Sequence, residues 1–208
     1  MKWVDKYKPQ SIDDCILTKP LKERFIRLID KGEFPNLLLT GEVGSGKTSI
    51  AKILANSSDY QTLFINGSRE GREHGKAIPI IDDFCKSASL FGSPYKIVII
   101  DEADGMNQNS VQDMLISIMD ENSSHCSFIL TCNDVDKLIP PIQSRCVELN
   151  FHIARNMRGP VKDSIYNRVV HILQSENVEF NETEIRSLVN DYFPDFRRII
   201  NYLQSIYI

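Results

Sequence analysis

The residues best suited to chemistry in this sequence are of the types that handle phosphate. Gly41-Glu42-Val43-Gly44-Ser45-Gly46-Lys47-Thr48 fits the pattern G-x-x-x-x-G-K-S/T in full. A loop that turns its backbone N–H groups inward around phosphate oxygens needs glycines, both for the dihedral angles and for close approach. Lys47 would then set a compact positive charge on the β- and γ-phosphates of a nucleotide, and Thr48 would offer a hydroxyl to Mg2+. Ser49 continues into a helical pattern through Ala55, and that helix would aim the positive end of its dipole at the same phosphates.

A second group closes the apolar run Ile97-Val98-Ile99-Ile100 with Asp101-Glu102-Ala103-Asp104. A buried strand that ends in two carboxylates delivers charge to the sheet edge where a phosphate loop lies. Asp101 would hold Mg2+, usually through its water shell. Glu102 would polarise an attacking water. Taken alone, the pair would also serve as an acidic turn. Asn133, in Thr131-Cys132-Asn133-Asp134, ends the next strand and could reach a γ-phosphate or a water, although strand ends also use asparagine simply to turn. Arg145, in Gln143-Ser144-Arg145-Cys146, stands just before the last strand candidate, a position that an ordinary solvated arginine also fills.

These residues need a scaffold, and the pattern supplies one. Strand-length apolar runs at Asn36–Thr40, Thr62–Asn66, Lys96–Ile100, Ser127–Thr131 and Cys146–Asn150 alternate with helix-period segments. That alternation predicts an α/β fold with a five-stranded parallel sheet flanked by helices, the P-loop NTPase arrangement. Leu21, Phe25, Leu28 and Ile29 share a helix face before Gly32, an expected C-cap, and Val111, Leu115, Ile118 and Met119 repeat that spacing. One strand candidate, Thr62–Asn66, separates the two phosphate-site motifs, as in P-loop ATPases with a catalytic glutamate. No N-K-x-D guanine-reading motif occurs, which favours ATP over GTP.

Beyond about residue 150 the strand signals give way to three helical stretches, near 160–176, 182–192 and 195–206. Arg155-Asn156-Met157-Arg158-Gly159-Pro160 reads as a hinge, giving a nucleotide-binding α/β domain over 1–152 and a small all-α lid over 153–208.

Composition bounds the function. With 42% hydrophobic and 25% charged residues among 208, the sequence is that of an ordinary globular protein. No apolar run reaches membrane-span length and no signal-peptide core follows Met1, so an intracellular, unsecreted protein with no membrane contact is expected. Five scattered cysteines and four histidines suggest neither a disulfide framework nor a zinc site, and Cys126 and Cys146 read as small core residues. A net charge of −4 argues against a globally basic nucleic-acid binder but leaves room for a local patch at Arg69, Arg72 and Lys76.

Together these motifs resemble the AAA+ ATPase subunits of DNA sliding-clamp loaders, the small subunits of replication factor C and the equivalent subunit of T4-like phages. The resemblance runs from Trp3 to about Leu203. Trp3-Val4-Asp5-Lys6-Tyr7-Lys8-Pro9 is similar to the family's W-V-E-K-Y-R-P element, Asp101-Glu102-Ala103-Asp104 to its D-E-A-D motif, Ser144-Arg145-Cys146 to its S-R-C motif, and Pro194-Asp195-Phe196-Arg197-Arg198 to its G-D-x-R-R element. The resemblance implies that Val4 and Tyr7 lie along the adenine. It implies that Arg145 is an arginine finger acting in trans on a neighbour's ATP, Arg197 a lid sensor of the γ-phosphate and Asn133 the sensor on the sheet. The implied partners are other loader subunits in a ring or spiral, a ring-shaped sliding clamp and primer–template DNA. Ser68, Arg72 and Lys76 are candidates for DNA phosphates, and Leu90 and Phe91 for the clamp. A solvated loop and ordinary core packing are the simpler readings of those two sets. A cytoplasmic setting follows for a bacterial or phage-infected cell, a nuclear one for a eukaryote.

The sequence departs from the family in three places. Glu42-Val43 stands where a Pro-containing opening is common, Pro194 stands where Gly is usual, and Ile208 ends the sequence where relatives continue into a helical collar. Two other readings remain open at this stage. A helicase loader or branch-migration motor shares every phosphate-site residue. A purely structural subunit would lack Lys47 or Glu102, and both are present.

Overall fold

The computed structural model describes residues 1–32, 35–57, 59–70, 76–88 and 95–207. Among them, β1 (Leu37–Thr40), β2 (Gln61–Asn66), β3 (Lys96–Asp101), β4 (Cys126–Cys132) and β5 (Val147–Asn150) form a parallel sheet in the order β2-β3-β4-β1-β5. All five expected strands are present. Their limits shift by a residue at some ends, since Asn36 and Cys146 lie just outside β1 and β5, while β4 gains Cys126 and Cys132.

Burial follows from strand position. Every residue of β1, β3 and β4 is buried, because those strands are covered on both faces. The edge strands are less covered: β5 exposes most of its residues, and most of β2 is half-buried or exposed. On one face, α2 (Lys19–Lys31) and α3 (Lys47–Ala55) pack Phe25, Ile50 and Leu54 against Leu37, Leu39 and Ile99. Gly32 ends α2 in the left-handed region at φ 70°, the expected C-cap. On the other face, α5 (Ala77–Lys86) and α6 (Asp113–Glu121) press Ile81, Leu115, Ile118 and Met119 onto Val98, Ile100 and Phe128. Lys96 is buried there, and its ammonium is satisfied by the carbonyls of Phe84, Cys85 and Ser87 at the end of α5.

The C-terminal helices α8 (Arg158–Ser175), α9 (Glu182–Tyr192) and α10 (Phe196–Tyr207) match the three expected stretches. Val161, Ile165, Val169 and Ile172 recur at helical spacing and meet Ile185, Val189, Ile199 and Leu203. Asn181 caps α9 by accepting the Thr183 N–H at 2.8 Å. This cluster also takes in the start of the chain. Trp3, in the short helix α1 (Trp3–Lys6), is only 2% exposed and sits among the C-terminal helices. Its backbone N–H donates to Gln204 Oε1 at 2.8 Å, and Lys6 Nζ and the Tyr7 hydroxyl both donate to Glu176 Oε1 at 2.7 Å. Trp3→Ala is therefore expected to lower unfolding stability by roughly 3–5 kcal/mol, read by urea unfolding followed by far-ultraviolet circular dichroism.

Candidate functional site

The phosphate-loop string occupies the crevice beyond the carboxyl end of β1, where strand order reverses. Gly44 lies at φ 79°, and a Cβ placed there would come within 2.2 Å of Asp195 Oδ1 and 3.4 Å of Asp195 Cα. The loop is thus pressed against the residue that opens α10, and only glycine satisfies both the backbone angle and that contact. From Gly46 the chain enters α3, which turns its N-terminal N–H groups toward the loop.

Lys47 is 7% exposed, and its ammonium lies in the loop mouth. It donates to the carbonyls of Gly41 at 2.7 Å and Glu42 at 2.8 Å, and to Asn133 Oδ1 at 2.9 Å. Burial draws its pKa below the usual lysine range, with the charges of Asp104 and Asp101 working the other way. Asn133 thus meets Lys47 across 86 residues of sequence. Its placement is fixed from behind, because Asp104 Oδ2 accepts the backbone N–H groups of Asn133 at 3.2 Å and Asp134 at 3.3 Å.

Asp101, at the end of β3, accepts hydrogen bonds at one oxygen from the hydroxyls of Thr48 and Thr131, each at 2.7 Å. A hydroxyl oxygen beside a carboxylate is a hard donor set suited to Mg2+, which keeps most of its waters and binds through one or two carboxylates plus substrate phosphates. Thr131 also accepts the Glu102 backbone N–H at 3.0 Å. Glu102 adopts the left-handed conformation, φ 54° and ψ 48°, uncommon for a residue with a Cβ and typical of functional turns. The turn is buttressed by Gly67, which opens α4 (Gly67–Glu70), since a Cβ on Gly67 would fall 2.6 Å from the Glu102 carbonyl oxygen.

A cleft extends from Gly44, Ser45, Gly46 and Ser49 along Val4 and Tyr7 to Arg197 on α10. Of the remaining loop residues, Glu42 takes part through its carbonyl, and Val43 is 59% exposed. Ile16, Leu17, Ile153 and Arg168 also line the cleft, and Arg168 Nη2 donates to the Tyr7 carbonyl at 3.3 Å.

Arg145 is not part of this constellation. It follows α7 (Pro140–Ser144) and precedes β5, whose first residue pairs with Leu37 at the start of β1. The Arg145 carbonyl accepts from Asn36 Nδ2 at 3.4 Å at that same edge. The phosphate loop leaves the other end of β1, roughly 13 Å away at about 3.3 Å per residue. Arg145 thus lies at the sheet edge opposite its own P-loop, in an ion pair with Asp120.

Of the outlying candidates, Ser68 is half-buried on α4, and its Oγ would stand 2.4 Å from a Cβ on Gly105. Lys76 is exposed at the start of α5. Arg72, Leu90 and Phe91 lie outside the described residues. Several residues that shape the site were not anticipated from the sequence: Thr131, Asp104 as an anchor, Gly67 and Asp195 against Gly44; nor was Gln112, which ties the following loops together. The last is fully buried and bridges the carbonyls of Met106 and Lys137 to the Ile139 N–H.

A parallel sheet in which β4 stands between the loop-bearing β1 and the carboxylate-bearing β3, served by a buried lysine and a threonine–aspartate pair, defines the class as a P-loop NTPase. Residues 37–153 match the family described as ATPase family associated with various cellular activities (AAA). The chain belongs to the AAA ATPase family. Among curated relatives it is 36% identical over 203 residues to the sliding-clamp-loader large subunit of Escherichia phage RB69, covering 96% of this chain and 62% of the relative. It is 32% identical over 208 residues to the replication factor C small subunit of Archaeoglobus fulgidus, covering 98% and 63%, and 33% identical over 210 residues to replication factor C subunit 5 of Mus musculus, covering 98% and 59%. The chain thus spans about three fifths of the length of these relatives. A solved structure of the Thermotoga maritima RuvB Holliday junction branch migration motor superimposes with a TM-score of 0.72 at 17% identity, over 96% of this chain and 64% of that one, a likeness of fold. Among the described residues no helix is long and apolar enough to cross a membrane.

Proposed function

We propose that this chain is the ATPase module of a DNA sliding-clamp loader subunit. It binds ATP with Mg2+ and hydrolyses it in a site that a neighbouring subunit completes. The cycle serves to open a ring clamp and leave it on primer–template DNA. Residues 1–152 form the nucleotide-binding part and 153–208 the lid that reports on it. The observation that carries this reading is the position of Arg145. The S-R-C arginine stands at the sheet edge opposite its own P-loop, a position that supports a use in another chain. The similarity to clamp-loader and replication factor C subunits supports the same reading.

Within one site, the loop N–H groups and the α3 N-terminus receive the phosphates. Lys47 exchanges one of its carbonyl partners for a phosphate oxygen. Thr48 and Asp101 would hold Mg2+, which supplies neutralisation of charge developing on the β- and γ-oxygens. Glu102, projected from a fixed left-handed turn, orients and polarises the attacking water. Asn133, joined to Lys47, and Arg197, on the lid side of the cleft, report the γ-phosphate to the sheet and to the C-terminal helices. Val4 and Tyr7 face the base. Ser68, Arg72 and Lys76 are proposed contacts to DNA phosphates, and Leu90 and Phe91 to the clamp.

The test is ATP turnover against chain concentration, with and without a primer–template duplex and a ring clamp, beside Lys47→Ala. Turnover per chain is expected to rise with concentration and with DNA. Loss of the buried ammonium is expected to reduce it by roughly 10²–10³-fold or more and to weaken ATP binding in calorimetry. Stimulation by a Holliday junction in place of the primer junction and clamp would instead identify a branch-migration motor.

A further inference from the structure

Arg145 does not hang free in solvent. Its Nε donates to Asp120 Oδ1 at 2.8 Å, its Nη2 to Asp120 Oδ2 at 2.7 Å and its Nη1 to the Pro141 carbonyl at 3.0 Å. A guanidinium has five N–H donors, so three are engaged and two remain, one on each terminal nitrogen. Those two nitrogens form the end of the fork that meets a phosphate in bidentate fashion. The two bonds to Asp120 thus hold the guanidinium by its side edge, and among the described residues one N–H on each terminal nitrogen meets no acceptor.

The anchors are stiff. Asp120 sits in the last turn of α6, whose Leu115, Ile118 and Met119 are buried in the core beneath the sheet. Pro140 and Pro141 open α7, fixing the backbone that carries the third contact. Nor does helix stability account for Asp120. A carboxylate in the last turn opposes the helix dipole, and exposed ion pairs contribute little to folding. The side chains of Arg145 and Asp120 are 33% and 55% exposed, so this pair belongs to the exposed kind.

We infer that Asp120 is a positioning residue for Arg145, holding the guanidinium with its free edge outward so that it enters a neighbouring chain's ATP site already oriented. This rests on the trans-acting reading of Arg145 given above. The pair need not break on engagement, because the phosphate would use donors that Asp120 does not.

Asp120→Asn keeps the size but removes one of the two acceptors. It is expected to lower kcat for DNA-stimulated ATP turnover by on the order of 10- to 100-fold, as a misplaced catalytic contact does, with KM for ATP unchanged. Asp120→Glu, which keeps the carboxylate, is expected to restore most of the loss. An equimolar mixture of Asp120→Asn with Lys47→Ala chains supplies intact arginines beside intact phosphate sites, and turnover per Asp120→Asn chain should recover. The Arg145 Nε–H resonance is expected to be slowed in solvent exchange in the wild type by its bond to Asp120 and to lose that protection in Asp120→Asn. Wild-type or raised turnover in Asp120→Asn, while Arg145→Ala collapses, would overturn the positioning role and leave the trans-acting arginine standing. A loss that the mixture fails to repair would overturn it too, since the defect would lie outside the arginine's delivery. Unchanged turnover in Arg145→Ala would remove the trans-acting reading itself, and this inference with it.

Discussion

Arg145→Ala is expected to reduce ATP turnover in the assembled protein by roughly 10³–10⁵-fold, the range over which arginine fingers act in other NTPases. ATP affinity should stay close to wild type. That split follows from topology. The side chain stands beyond the amino ends of β1 and β5, while the phosphate loop leaves the carboxyl end of β1. Removing it therefore takes nothing from the chain's own nucleotide cleft, which is lined by the loop, the N-terminal element and Arg197. The deciding measurement mixes Arg145→Ala chains with Lys47→Ala chains. Each is expected to be inactive alone, one for want of a delivered guanidinium and the other for want of a competent loop. Mixed, they should regain activity at those interfaces where a Lys47→Ala chain presents its arginine to an intact Arg145→Ala site. A mixture as inactive as its components would count against action between chains.

Glu102→Gln is expected to slow hydrolysis by roughly 10²–10⁴-fold, the usual contribution of a positioned general base, and to leave ATP bound. Glutamine preserves the side-chain length, and the backbone is held independently of it. The Glu102 N–H is bonded to Thr131, and its carbonyl packs on Gly67. The hydroxyls of Thr48 and Thr131 donate to Asp101, bonds in which the Glu102 side chain takes no part. Binding and cleavage should therefore separate cleanly. Single-turnover cleavage of radiolabelled ATP, set beside equilibrium binding, measures both. Equal losses in the two would point to a collapsed turn rather than a missing base.

Much of this architecture was legible in the sequence because the signals were local. Unbroken apolar runs such as Ile97–Ile100 marked strands covered on both faces, and a glycine string between a strand and a helix marked the loop. Gly32 announced the end of α2. The order of strands in the sheet was not written in any local pattern. The insertion of β4 between β1 and β3 depends on which edges find cover, a property of the whole sheet. The supporting polar residues were hidden for a related reason. Thr131 and Asp104 look like ordinary strand-end residues until the structure shows them holding Asp101 and Asn133. Asn36, before β1, fastens the amino ends of two neighbours through the Phe128 N–H and the Arg145 carbonyl. Asp120 reads as one more solvated charge on a helix until its partner, 25 residues on, is seen beside it. The hydrophobic role of Trp3 was equally out of reach, because its packing partners lie near the other end of the chain.

That last contact bears on how the protein is made. During synthesis the phosphate loop and its lysine leave the ribosome early, yet the wall of the cleft formed by Val4 and Tyr7 is braced by Glu176 and Gln204, which are translated far later. A nascent polypeptide halted before α10 would carry the whole glycine string and Glu176 beside Tyr7, yet it would lack the Gln204 anchor of Trp3 and the Arg197 end of the cleft. Competence to grip nucleotide would then arrive late in translation, after the sheet itself has been completed.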